Sequence, residues 1–454
     1  MPQPTPSPML RCAAAATLLL AMLAGGCAGH AESTVRARSA LDAGRPTTAL
    51  EAYNEQLGVD SAKHDPGKLD DDQVLYLLDR AVVLQQLGQT DLSSRDLQIA
   101  DKRIEVLDFS GGSLDDIGKY MFSDDTGVYV APAYEKLLIN TLNMMNYLDR
   151  HDLNGARIEA RRFSVMRKFL EESDDSNSTD VISAAGSYIA GFVFEKSNRA
   201  GEALRYYDEA LKVSQFPSLR DPVRRLTALD PYDSPALRAA RGEDSTAPAA
   251  EDTSGEVLVV VNYGRVPAKI AKRIPIGLAL TYAAVYMTPA QTSRTNYLAA
   301  QGLVTWINYP TLGKSRGKYA VPHASVGSQS VGLDGLLAVD QAARAEWKRH
   351  EGKVIASAIT RMITRVVAGE AARQASGGGI AGALLSLGTQ ATMTAADTPD
   401  TRSWATLPAR IAVGRVRVKP GKHRVQVSVS GRQKSQDVDM PERGWAVIIL
   451  TVLR

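Results

Sequence analysis

YIAGFVFEKSNRAGEALRYYDEALKV, Tyr188 to Val213, is the stretch whose reading decides how the first half of the chain folds. Its apolar and small residues recur at helical spacing on both sides of Ser197-Asn198, so it reads as two helices joined by a short turn. Gly191 and Ala203 are small enough to let the helices approach closely. Phe194 and Tyr207 fill the space beside them, and Asn198 closes the turn.

Gly191, Phe194, Ala203, Tyr207 and Ala210 fall at the spacing of the small and aromatic positions of a tetratricopeptide repeat. The same register fits Ala81, Leu84, Gly88, Ser93, Leu97 and Ala100, then Tyr147, Ala156 and Ala160, and near the start only Ala49 and Tyr53. Residues 33–228 are therefore expected to form a tetratricopeptide-like helical solenoid. Stacked pairs bury a continuous core and leave a concave face, normally a protein or peptide site, with Tyr147, Phe194, Tyr206 and Tyr207 as candidate contacts or core.

The pattern ends at Leu229. Residues 229–254 lack periodicity and are rich in Pro, Ala, Asp and Glu, the composition of a solvated linker. At Gly255 a β-branched run begins, Val257 to Val261, read as a buried strand. Ile276 to Met287 is apolar but short for a membrane span. Leu303 to Asn308 reads as a second strand. Ala338 to Arg373 reads as an amphipathic helix whose core stripe includes Ile355, Ile359 and Met362. Val416, Val418, Val425, Val427 and Val429 alternate around a Lys419-Pro420-Gly421-Lys422 turn, which predicts an antiparallel meander. The expected class is α+β: a helical repeat domain, an acidic linker, and a mixed domain over 255–454 that ends in the meander.

The first residues speak to location. Arg11 followed by the apolar run Ala13–Ala24 is a secretory signal pattern, too short to span a bilayer. It closes on Leu23-Ala24-Gly25-Gly26-Cys27, which resembles a bacterial lipobox. Residues 1–26 then form the signal peptide, with Met1 or Met9 as initiator, and Cys27 carries a diacylglyceryl anchor. Ala28 in the next position favours the outer membrane by resemblance to bacterial sorting rules. The other cysteine, Cys12, falls in the removed segment, so one chain can form neither a disulfide nor a cysteine metal site. With 53 basic and 50 acidic residues the chain is near neutral, which argues against nucleic acid as a partner.

Motifs for chemistry are weak. Gly377 to Gly382 satisfies G-x-G-x-x-G, but a helix precedes it instead of the strand that a dinucleotide fingerprint needs. Gly313-Lys314-Ser315 is the tail of a phosphate loop whose upstream glycine is replaced by Asn308. None of the six histidines pairs at metal-ligand helical spacing, and neither H-E-x-x-H nor G-x-S-x-G occurs. No catalytic residue, cofactor or metal is expected. The densest constellation is DTRSWATLP, Asp400 to Pro408. Arg402 beside Asp400 suits a bidentate ion pair that fixes a turn. Trp404 supplies a large apolar body whose indole N–H needs an acceptor. Leu407-Pro408 then resets the chain before a strand. This reads as a clasp joining the helix to the meander; the alternative is a recognition site, because Trp and Arg are enriched at binding hot spots.

Four segments carry a family resemblance: YEKLLINTLNMMNYLDRHDLNGARIEARR from Tyr134, GEVLVVVNYGRVPAKIAKRIP from Gly255, IASAITRMITRVV from Ile355, and ADTPDTRSWATLPARI followed by KPGKHRV. Together they resemble uncharacterised bacterial envelope lipoproteins with tetratricopeptide-like N-terminal repeats, DTRSW-x-x-LP being the most specific piece. The resemblance implies an outer-membrane lipoprotein, often encoded near lipoproteins that activate cell-wall synthases, and brings no catalytic residues. The expected function is a lipid-anchored, non-catalytic periplasmic scaffold that binds other envelope proteins through its repeats. The alternative is an envelope enzyme or small-ligand binder acting on peptidoglycan or lipid, with its site near Asp400, Arg402 and Trp404.

Overall fold

The structure, a computed structural model, describes residues 30–67, 69, 73–110, 129, 131–172, 176–242, 252–375 and 399–454. Cys27, the signal segment and Gly377–Gly382 lie outside the described residues. The fold is α+β. Its first part comprises α1 (His30–Ser33), α2 (Val35–Asp42), α3 (Pro46–Gln56), α4 (Gln73–Gln86), α5 (Thr90–Ser110), α6 (Ala133–Asp149), α7 (Leu153–Glu172), α8 (Ser176–Lys196) and α9 (Ala200–Val213).

Four consecutive pairs, α2–α3, α4–α5, α6–α7 and α8–α9, pack helix against helix. Each turns on one left-handed residue: Gly44 (φ 69°), Gly88 (φ 74°), His151 (φ 57°) and Asn198 (φ 57°). In each, the next N–H returns to the carbonyl five residues back: Arg45 to Ala40, Gln89 to Leu84, Asp152 to Tyr147 and Arg199 to Phe194, at 2.8–3.0 Å. This Schellman ending stops one helix and aims the chain into the next. The register repeats with it. Ala49, Ser93, Ala156 and Ala203 stand at one equivalent place, Tyr53, Leu97, Ala160 and Tyr207 at another, and all are buried. A Cβ on Gly191 would lie 2.4 Å from the Tyr207 ring, and one on Gly155 2.3 Å from the Tyr147 ring. The Gly191 contact is the close approach that the spacing implied; the one at Gly155 was not anticipated.

The linker expectation is corrected over the described part of 229–254. After α10 (Arg220–Thr227) the chain forms α11 (Pro235–Arg241), capped by the Ser234 hydroxyl, which accepts from the Leu237 N–H. Leu237 is buried, and Tyr232 donates to Asp208 at 2.8 Å. A single buried leucine and a cap anchor this stretch, so its polar composition misled.

The strands are β1 (Gly255–Tyr263), β2 (Lys269–Pro275), β3 (Trp306–Leu312), β4 (His323–Val326), β5 (Gln329–Val331), β6 (Asp334–Leu337), β7 (Arg410–Val418), β8 (Gly421–Val429), β9 (Arg432–Met440) and β10 (Trp445–Val452). They make one sheet in the order β10-β1-β7-β6, a second in the order β5-β4-β8-β9, and the hairpin β2-β3. The expected meander is corrected here. The turn at Lys419–Lys422 does not return β8 alongside β7; it carries the chain from the first sheet to the second. β10 then goes back to pair in parallel with β1. Period-two alternation marks a half-buried strand but not which sheet it joins.

β1 explains the three-layer stack. Val257, Val259 and Val261 face Val425 and Val427 between the two sheets. Leu258 and Val260 share a core with Leu142 and Tyr188 of the helices. Because β1 is covered on both faces, its sequence is continuously apolar instead of alternating. The core therefore runs without a break from the helical pairs into the first sheet. The first helices of the pairs, α4, α6 and α8, face this sheet through β10 and β6. The remaining elements, α12 (Ile276–Ala283), α13 (Pro289–Ala300) and α14 (Val339–Ala375), pack with β2 and β3 into a lobe around Ile274, Ala279, Leu298, Ile355 and Ile359.

Candidate functional site: the Asp400–Pro408 segment and its surroundings

Residues 399–409 are all buried. Asp400 Oδ1 accepts from both the backbone N–H and Nε of Arg402 at 2.9 Å, and Oδ2 accepts from a terminal guanidinium nitrogen at 3.0 Å. One carboxylate thus both fixes the turn and neutralises the arginine. Burial alone would raise the Asp400 pKa; the Arg402 hydrogen bonds and the Lys269 charge prevail and hold it below the usual carboxylate value. The Lys269 N–H, at the start of β2, donates to Ser403 Oγ at 3.1 Å, and the Val266 N–H donates to the Leu407 carbonyl at 3.0 Å. Pro408, without an N–H to satisfy, sits buried just ahead of β7.

The same segment reaches into the helices. The Trp404 N–H donates to Glu135 Oε1 at 3.3 Å. The Thr406 N–H donates to Asp79 Oδ1 at 2.9 Å, and its hydroxyl to the Asp79 carbonyl at 3.1 Å. Glu135 also accepts from the hydroxyls of Tyr129 and Tyr134. Burial raises its pKa, opposed by those hydroxyls, Lys269 and the Trp404 N–H. His30, the first described residue, stacks on Tyr76 and brings Nε2 within 3.5 Å of Asp79. One expectation fails: the Trp404 indole is fully buried, yet its N–H has no hydrogen-bond partner among the described residues. Packing, and not the polar handle, holds the ring.

A second buried constellation was not anticipated. Arg415 of β7 donates to Glu256 of β1 at 2.7 and 2.8 Å, to Glu195 of α8 at 2.8 Å and to the Tyr207 hydroxyl at 2.8 Å. Tyr207 in turn donates to Glu195 at 2.7 Å. Lys196 bridges both carboxylates, and Arg225 lies 3.5 Å from each. Burial would raise the carboxyl pKa values, but Arg415 first and Lys196 next hold both low, Glu256 most. The available sequence signal was Glu256 at the head of an apolar strand and Arg415 among valines, since charges on a covered strand must be paired. A third link is uncharged: Asn262 and Thr451 both donate to Gln85 Oε1, and Gln85 Nε2 donates to Asn146 Oδ1.

The repeat residues play unequal parts. Gly191, Ala203, Tyr207 and Ala210 are core, and Phe194 stacks on Tyr206 at 5.2 Å. Tyr147 is partly buried and accepts from Gln98 at 2.7 Å under the Arg150 guanidinium. An open cleft of about 470 Å³ lies elsewhere, between the Gln85–Thr90 turn and strands β9 and β10, lined in part by Asp149, Arg432 and Lys434. Among the described residues no group of His, Cys, Asp and Glu is placed to hold a metal ion, and no helix is long and apolar enough to cross a membrane.

No protein-family model, curated protein or solved structure matches the chain.

Proposed function

We propose that the protein is a lipid-anchored, non-catalytic scaffold on the periplasmic face of the outer membrane that holds other cell-envelope proteins together. The observation that carries this reading is how the densest polar constellation is used. In Asp400–Thr406 the polar groups join helices to strands, and Asp400, Arg402 and Trp404 are all buried. They act as a structural clasp. The enzyme or small-ligand reading would need a cavity at that point with convergent polar groups.

The four identical hairpin turns and their repeating register support a tetratricopeptide-like solenoid. Its first-helix face is covered by the chain's own sheet, which moves the partner site. Contact falls instead to the face of the second helices, where Ile158 and Val165 of α7 are more than half exposed. Near-neutral charge favours protein over nucleic acid as partner. The anchor is the diacylglyceryl group on Cys27, and the resemblance to envelope lipoproteins makes cell-wall synthesis lipoproteins the first partners to seek.

Two measurements test the reading. Cys27→Ser should stop incorporation of labelled palmitate; normal labelling would remove the anchor. A photo-crosslinker at Val165 in intact cells should capture envelope proteins that one placed at buried Tyr207 does not. No capture at Val165 would count against a partner on this face.

A further inference from the structure

From the exposed helix of the lobe we infer a second membrane contact: α12 and the turn that follows it lie on an anionic bilayer, independently of any lipid at Cys27. Helix α12 carries no charge, and its one polar side chain, Thr281, donates back to the Leu278 carbonyl. Ile276, Ala279 and Ala283 face the lobe's core, whereas Leu278 and Tyr282 point outward, continued by Val285 and Tyr286. Val285 is 85% exposed. A helix with no polar face is normally buried, so one at the surface lacks its cover. From Ile274 to Ser293 no residue is charged.

The surroundings name the cover. No Asp or Glu occurs between Glu256 and Asp334, an interval with eight Lys or Arg residues. Two of them lie over aromatic rings of the same lobe: the Arg273 guanidinium is 5.6 Å from the Trp306 ring centre and that of Arg294 5.8 Å from Tyr297. Trp306, itself 43% exposed, pairs with Pro275, the residue just before α12. Across the lobe α14 adds Lys348, Arg349 and Lys353 against Glu351, where a Cβ on Gly352 would meet the Tyr286 ring at 2.3 Å. An apolar tip, Trp and Tyr beside it and a basic rim are what a lipid interface selects. The tip enters the acyl boundary, the amphipathic rings sit at the headgroups, and the cations meet phosphate. An apolar protein groove would be matched by the tip but would have no need of a net cationic rim.

The proposed function contributes only the nearness of a bilayer, and the test separates the two. The protein starting at Ala28 keeps every described residue and lacks Cys27. It should float with vesicles of phosphatidylethanolamine and phosphatidylglycerol and far less with phosphatidylcholine vesicles, and added salt should weaken the binding. Val285→Asp, at a position too exposed to affect folding, should weaken binding roughly tenfold. Lys272→Glu with Arg273→Glu should cost at least about tenfold on the anionic vesicles. Absence of flotation, or Val285→Asp binding like the parent, would overturn the inference. So would a photo-crosslinker at position 285 that captures protein and no lipid in cells. Failure here leaves lipid at Cys27 standing, and loss of palmitate labelling leaves this surface standing.

Discussion

Trp404→Ala should destabilise the whole protein, not one half of it, by about 3–5 kcal/mol, the usual cost of emptying a fully buried aromatic site. The ring belongs to the core shared by helices and sheet, and its backbone N–H is one of the bonds to Glu135. Because the indole N–H has no acceptor among the described residues, Trp404→Phe should cost only a fraction of that: it keeps an apolar body and removes a donor with no partner among them. The check is denaturant unfolding followed by far-ultraviolet circular dichroism, with partner recovery measured beside it. An Ala variant that unfolds like the parent but loses a partner would make Asp400–Trp404 a recognition site.

Arg415→Met should be comparably severe, about 3–5 kcal/mol, for a different reason. It leaves Glu195 and Glu256 buried with only Lys196 and Arg225 to compensate them. The residual repulsion is diagnostic. Adding Glu195→Gln and Glu256→Gln to Arg415→Met should restore much of the loss, since a buried network replaced as a whole is often nearly neutral, whereas a broken one is not. Unfolding measured across this set of variants gives the coupling directly. If Arg415→Met alone costs under about 1 kcal/mol, in the range of an exposed pair, the network does not hold the layers together.

Local pattern was legible and long-range partnership was not. The Tyr188–Val213 spacing places both helices, and Asn198 takes the left-handed turn position. The stripe through Ile355, Ile359 and Met362 marks a helix observed from Val339 to Ala375, and Val257–Val261 marks a strand covered on both faces. Each rests on periodicity within one element. The failures all concern what an element meets. Val425, Val427 and Val429 alternate identically whether β8 pairs with β7 or crosses to another sheet. Nothing local says that Trp445–Val452 runs parallel to a strand begun at Gly255. The Asp400–Arg402 ion pair was visible because its partners are two residues apart. The acceptors for Trp404 and Thr406, Glu135 and Asp79, lie 269 and 327 residues away on helices that look ordinary in sequence. The polar stretch around Leu237 was misread because composition was weighed over one buried leucine.

The central claim is that helices and strands form a single body whose first-helix face is closed by its own sheet. Cutting the chain tests it most directly. A specific protease site inserted between residues 243 and 251 severs the covalent link between α11 and β1 while leaving the clasp, the Arg415 network and the Gln85–Asn262–Thr451 bonds in place. After cleavage the two fragments should still elute together in gel filtration and unfold in one transition at a midpoint close to that of the intact chain. Two fragments that separate without denaturant, each keeping its own circular dichroism spectrum, would contradict the account and restore a two-domain protein with an open repeat face.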